Sequence, residues 1–389
     1  MTRSWPIHGL HSRHDTASVG PGKSIDVQLT GVAGIPTSGV AAVVFNLTAV
    51  SPTTGGFLTV YPTGSARPTA STINFVGRQT VVNEVIATLG TGGKVTIYNA
   101  AGNTHVLADV SGWFATDSYY TGLTPARVLD TRIGLGAAKA PVGAAQHVDI
   151  PVAGHNGIPT TGAIAVAVNI TATQPTTTTY VTAYPTGDTR PTASNLNLNR
   201  GQTTAVLAVT KLRTDCKITL YNAAGNTHLI ADITGYFTTT GQYTPLAPAR
   251  VLDTRGSGGA LGAHQMRRVD FGGAGVPDTA DAVIVSLTAV TPEAAGFLTV
   301  SASGISIPRP RTSTSPPGVP SPISWWHEST RQDFRTQRSG STTAAAAKLT
   351  SWLTWWAGSS IQSRLSPPEA PRTWWKGFPT LINSPPATE

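Results

Sequence analysis

From Val40 to Val50 the chain reads Val-Ala-Ala-Val-Val-Phe-Asn-Leu-Thr-Ala-Val, apolar and β-branched except at Asn46 and Thr48. Such a run predicts a strand buried on at least one face, and Pro52 ends it. Further short runs follow at residues 56–61, 71–76, 79–89, 94–98 and 104–113, separated by turn signals: Pro62, the glycines at 90, 92 and 93, and Asn-Ala-Ala-Gly-Asn at 99–103. No segment sustains a 3.6-residue apolar period. The pattern predicts an all-β protein of antiparallel β-sandwich, jelly-roll-like units.

The pattern then repeats. Residues 98–114, Tyr-Asn-Ala-Ala-Gly-Asn-Thr-His-Val-Leu-Ala-Asp-Val-Ser-Gly-Trp-Phe, return almost unchanged at 221–237, a period of 123 residues. Pro-Ala-Arg-Val-Leu-Asp-Thr-Arg at 125–132 returns at 248–255 with the same spacing. The expected organisation is one sandwich over residues 1–117, whose first 19 or so residues are atypical, a second over 118–240, and a partial third over 241–304.

Residues 305–389 break the pattern and hold seven of the nine Trp and 12 of the 29 Pro. Proline- and serine-rich composition predicts an irregular, disordered tail, but tryptophan pairs at 325–326, 355–356 and 374–375 fit that poorly. A one-base slip in the coding sequence accounts for them better. Reading the last base of each codon with the first two of the next, residues 349–359 can encode Ala-His-Val-Leu-Ala-Asp-Val-Val-Gly-Trp-Phe, against 104–114. Residues 312–315 can encode Asn-Ile-Asn-Phe, against 72–75, and 320–327 Thr-Val-Ala-Asn-Leu-Val-Val-Ala, against 80–87. The slip falls between Val300 and Pro308, and residues 7–9 permit Asp-Thr-Arg by the same shift. The last native strand, near Val300, should then present an open sheet edge.

Composition removes several function classes. The net charge of +8 divides into +5 for residues 305–389 and +3 for the rest, so the basic balance belongs mostly to the tail and points to no nucleic-acid partner. One cysteine, Cys216, builds neither a disulfide nor a zinc site and reads as a small buried hydrophobe. No run of about 18 apolar residues predicts a membrane span, and the N-terminus lacks the apolar core of a signal peptide.

Candidate chemistry occurs once per repeat. His105 and Asp109, like His228 and Asp232, share a strand face but lie about 13 Å apart by strand rise, too far for a direct hydrogen bond. With no Gly-x-Ser-x-Gly elbow, this is not a hydrolase triad, and the aspartate is expected to satisfy a turn or an arginine at the repeat junction. Arg127, Asp130 and Arg132, repeated as Arg250, Asp253 and Arg255, could clamp an anionic ligand through bidentate contacts. Ion pairs locking the strand after each linker are the reading preferred here. Asn46-Leu-Thr48 and Asn169-Ile-Thr171 match the glycosylation acceptor pattern but lie in apolar strands, so they read as buried polar residues. No cofactor or metal is called for, and no enzymatic activity is expected.

Together, the blocks at 125–132, 45–50, 56–62 and 103–114 resemble the tandem repeats of about this length in secreted and surface proteins of actinobacteria. The resemblance spans roughly residues 20–304. It implies an extracellular or cell-surface, non-catalytic module for adhesion, cell-wall association or glycan contact, with a cell-wall glycan or another surface protein as partner. The alternative it implies is the accessory region of a secreted peptidoglycan amidase, peptidase or glycosidase whose catalytic domain lies outside this chain.

Overall fold

The structure is a computed structural model that describes residues 17–238, 243–277, 279–294, 296–302, 313–315, 321–328 and 350–357. In the first repeat the predicted runs form β1 (Lys23–Gln28), β2 (Val40–Val50), β3 (Gly56–Pro62), β4 (Ile73–Phe75), β5 (Val81–Thr88), β6 (Lys94–Asn99) and β7 (His105–Ala115). They make two antiparallel sheets, ordered β1-β6-β3-β4 and β5-β2-β7. Inward side chains of both sheets, among them Phe45, Leu47, Leu58, Val60, Val95 and Ile97, close a single core.

Among the described residues the second repeat has one strand more. β8 (Tyr120–Asp130) joins β13 (Thr204–Lys211), β10 (Ala163–Thr173) and β15 (His228–Thr238) in the order β13-β10-β15-β8. β9 (Gln146–Pro151), β11 (Thr179–Pro185), β12 (Leu196–Leu198) and β14 (Lys217–Asn222) form the facing sheet, ordered β12-β11-β14-β9. Eight strands in these two orders make a jelly roll. Register repeats with the sequence: Asn46 lies opposite Asp109 and Asn169 opposite Asp232, each pair shifted by 123. Asn99 and Asn222 fasten the matching turns, donating from Nδ2 to the carbonyls of Gly102 and Gly225. Both glycines have positive φ, +60° and +56°, which side-chain-bearing residues rarely adopt.

β2 and β10 are buried on both faces, which explains their largely apolar character on alternate and intervening positions alike. One face of each lines its own sandwich. Between the repeats, Ala42, Val44, Ile86, Ala165, Ala167 and Leu207 form a further core with Tyr120 and Phe237. Phe114 stacks on Tyr120 at 4.6 Å, and Tyr120 meets Phe237 at 5.0 Å.

The third repeat is built from β16 (Met266–Asp270), β17 (Ala282–Ala289), β18 (Gly296–Ala302), β19 (Ser313–Ser315), β20 (Ser321–Glu328) and β21 (Thr350–Ala357). Its sheets are β16-β21-β18-β19 and β20-β17. Ala282 pairs with Glu328 and Gly296 with Ser315, as Ala42 pairs with Thr88 and Gly56 with Phe75, each 240 residues earlier. These pairings correct two expectations. Residues 305–389 are not wholly irregular, since they supply β19, β20 and β21. The edge of β18 is not open either, because β19 and β21 pair with its two sides. Residues 350–357 take the position that β6 and β14 hold in the other repeats, whereas the shifted reading likens them to β7 and β15. The open edge belongs to β17: among the described residues β20 alone pairs with it. The tryptophan pair at 374–375 lies outside the described residues.

The repeats close on one another cyclically. β4 lies against β13, β12 against β20 and β19 against β5, while β5, β13 and β20 meet pairwise. Each repeat thus presents the same surface to the next. The described residues include no α-helix, and no helix is long and apolar enough to cross a membrane.

Candidate functional site

Arg127, on β8, reaches three partners. Its Nε and Nη2 donate to the two carboxylate oxygens of Asp232 at 2.9 and 3.2 Å, its Nη1 to Asp130 at 3.2 Å, and Nη2 also to the carbonyl of Thr69 in the first repeat at 2.9 Å. Arg132 closes on Asp130 from the other side, with Nε at 2.9 Å and Nη2 at 2.6 Å. Both aspartates are buried, their side chains 1% exposed. The Arg132 hydrogen bonds hold the Asp130 carboxyl below its usual range, outweighing burial. At Asp232 burial prevails and raises the carboxyl, against the pull of Arg127.

These guanidinium groups face carboxylates of their own chain, so the arrangement is an internal lock between strand and linker. His228 joins at the edge, its Nδ1 3.0 Å from Thr131 Oγ1, while the Thr131 hydroxyl also accepts from the Leu229 amide. His105 and Asp109 occupy the matching positions on β7.

The third copy is more open. Arg250 donates to Asp253 at 3.1 Å and to the Thr192 carbonyl at 2.9 Å, copying the Asp130 and Thr69 contacts of Arg127. Arg255 holds Asp253 as Arg132 holds Asp130, at 2.9 and 2.6 Å, and its hydrogen bonds keep that carboxyl well below the usual range. The Arg250 side chain is 40% exposed, against 14% for Arg127. Asn169 is 5% exposed and takes part in a contact between repeats, as the buried-polar reading of the Asn-x-Thr motifs expected; Asn46 is 1% exposed. Cys216 is free and buried. Among the described residues no group of three His, Cys, Asp or Glu could hold a metal ion.

A second repeated constellation escaped the sequence reading. On the outer face of β3 and β6, opposite the inward Leu58 and Ile97, Phe57 and Tyr98 lie 6.4 Å apart, and Arg67 sits 3.9 Å above the Tyr98 ring. Asn74 of β4 flanks Phe57 across the sheet. In the second repeat Tyr180 and Tyr221 lie 6.3 Å apart, Arg190 sits 3.9 Å above Tyr221, and Asn197 flanks Tyr180. Every member is displaced by 123 residues. The signal was that spacing, applied to aromatic and arginine positions on the outer strand face instead of to the linker charges.

No protein-family model and no curated protein matches the chain. Among solved structures it is similar to one described as "The Triple Jelly Roll Fold and Turret Assembly in an Archaeal Virus", at 9% identity and a TM-score of 0.22, over 87% of this chain and 83% of that one. A second, "Life in the extremes: atomic structure of Sulfolobus Turreted Icosahedral Virus", matches at 11% identity and a TM-score of 0.21, over 87% and 84%. Likeness at this level informs neither partner nor activity.

Proposed function

We propose that this chain is a non-catalytic, cell-surface binding module that contacts cell-wall glycan through the paired platforms Phe57–Asn74–Tyr98–Arg67 and Tyr180–Asn197–Tyr221–Arg190. The observation that carries this reading is their repetition in matching geometry on half-buried outer sheet faces, with Arg67 and Arg190 exposed above them. A sugar ring offers an apolar C–H face and a rim of hydroxyls. An aromatic side chain takes the first, and a neighbouring amide and guanidinium take the second, or a carboxylate on the glycan. Tyr180 is 37% exposed and available for such stacking. Two platforms on one chain add avidity on a polymeric ligand. The linker arginines, paired internally, orient the repeats. The likeness of the sequence blocks to actinobacterial surface repeats supports the same reading.

Co-sedimentation with purified peptidoglycan and with wall polysaccharide tests it. The wild-type chain should pellet with at least one of them, and the Tyr98→Ala, Tyr221→Ala double variant should stay in the supernatant with an unchanged melting temperature. A double variant that pellets like wild type would rule the platforms out.

A further inference from the structure

In the second repeat β15 lies between β10 and β8, bonded to both. The matching space in the third repeat is bordered by β17 on one side and by residues 243–255, the counterpart of β8, on the other. It is part of a groove of about 2120 Å³ that also runs along Phe114 of the first repeat and Tyr180 and Asn197 of the second, and whose walls include Val283, Val285, Leu287, Leu298 and Val300. At the junction of the first two repeats, around Leu123, Asn169 and Asp232, the residual space is about 20 Å³.

We propose that this groove is a docking site for one β-strand, and that the strand it takes is the closing strand of a repeat, Thr-His-apolar-apolar-Ala-Asp-apolar-x-Gly-aromatic-Phe. Three features select this occupant. The edge of β17 offers backbone donors and acceptors of the kind that pair with an added strand. The groove floor is the apolar interior of the third sandwich, which suits a strand with alternating apolar residues. Arg250 stands beside it with the Asp253 and Thr192 contacts made, where Arg127 in addition grips Asp232 of the intervening strand. An aspartate at the sixth position of the incoming strand answers that arginine. The shifted reading of codons 349–359 can encode a strand of this type.

The test uses the full chain and a labelled peptide copying residues 227–238, Thr-His-Leu-Ile-Ala-Asp-Ile-Thr-Gly-Tyr-Phe-Thr. Fluorescence anisotropy should show saturable binding. Replacing the peptide aspartate by Asn, or Arg250 by Met in the chain, should each weaken binding more than about tenfold, as loss of a charged hydrogen-bond pair does. The two changes combined should weaken it little further. A frame-corrected chain, carrying its own closing strand, should not bind the peptide. Absence of binding to the wild-type chain, equal binding by the asparagine and scrambled peptides, or equal binding by the frame-corrected chain would each overturn the proposal. None of these outcomes depends on glycan binding.

Discussion

Asn83 and Asn169 meet side chain to side chain across the boundary between the first two repeats, Nδ2 of the former donating to Oδ1 of the latter at 2.9 Å. Asn83 also donates to the Thr72 carbonyl at 2.9 Å and accepts from the Leu207 amide at 3.1 Å, while Asn169 donates to the Ser71 carbonyl at 2.7 Å. Two amides thus satisfy groups from both repeats in a site sealed from water. Substituting Asn83→Ala leaves the buried Asn169 carboxamide oxygen without its donor and removes the bonds to Thr72 and Leu207, and should cost about 2–4 kcal/mol. Urea unfolding followed by intrinsic fluorescence measures the loss; a change below about 0.5 kcal/mol would show that the boundary does not depend on this pair.

The two linker arginines should differ sharply in weight. Arg127→Met leaves the Asp232 carboxylate buried without its partner and should cost roughly 3–5 kcal/mol. Arg250→Met removes an exposed pair and should leave the melting temperature within experimental scatter. Parallel thermal melts compare them, and equal losses would contradict the assignment of Arg127 as the lock.

Asp130 makes the lock sensitive to acid. Its carboxyl titrates below the usual value of about 3.9, so the stability it contributes is present above about pH 4 and is lost as pH falls through the lowered pKa. Asp232, raised by burial, acts in the opposite sense, since its ionised form is the costly one. The gap in melting temperature between wild type and Asp130→Asn should therefore be widest near neutrality and close as pH falls below about 4. A gap independent of pH would mean that Arg132 does not hold this carboxyl low.

Restoring the frame should stabilise the third repeat. A corrected chain gains an aspartate-bearing closing strand beside β17, buries the groove and gives Arg250 its further carboxylate. Its third repeat should show slower amide hydrogen exchange over Ala282–Ala289 than the chain as read. Unchanged exchange along β17 would argue that this edge is already protected.

Much of the first repeat is legible in the sequence because its strands are cut by Pro52, Pro62 and the glycines at 90–93, and the observed β2 to β7 follow those cuts closely. β1, β8 and β9 are harder to read. β1 and β9 carry exposed polar residues along much of their length, and β8 includes Gly122, Pro125 and Arg127, so none shows an apolar run. The charges of the linker are visible, but the partner of Arg127 lies 105 residues away, and no local pattern connects them. The platform is hidden for the same reason, since Phe57, Arg67, Asn74 and Tyr98 meet only after the sheet has formed. What periodicity could reveal was the repeat itself; what it could not reveal was that β5, β13 and β20 come together, because that contact belongs to no single repeat.

The most direct test of this account, in which three copies of one jelly roll share a chain and the third is broken by a shift of frame, is the nucleotide sequence itself. Sequencing the gene from before codon 1 to beyond codon 389 should find a one-base difference between codons 300 and 308, after which codons 349–359 read Ala-His-Val-Leu-Ala-Asp-Val-Val-Gly-Trp-Phe. A gene whose frame runs unbroken as read through codon 389 would contradict it.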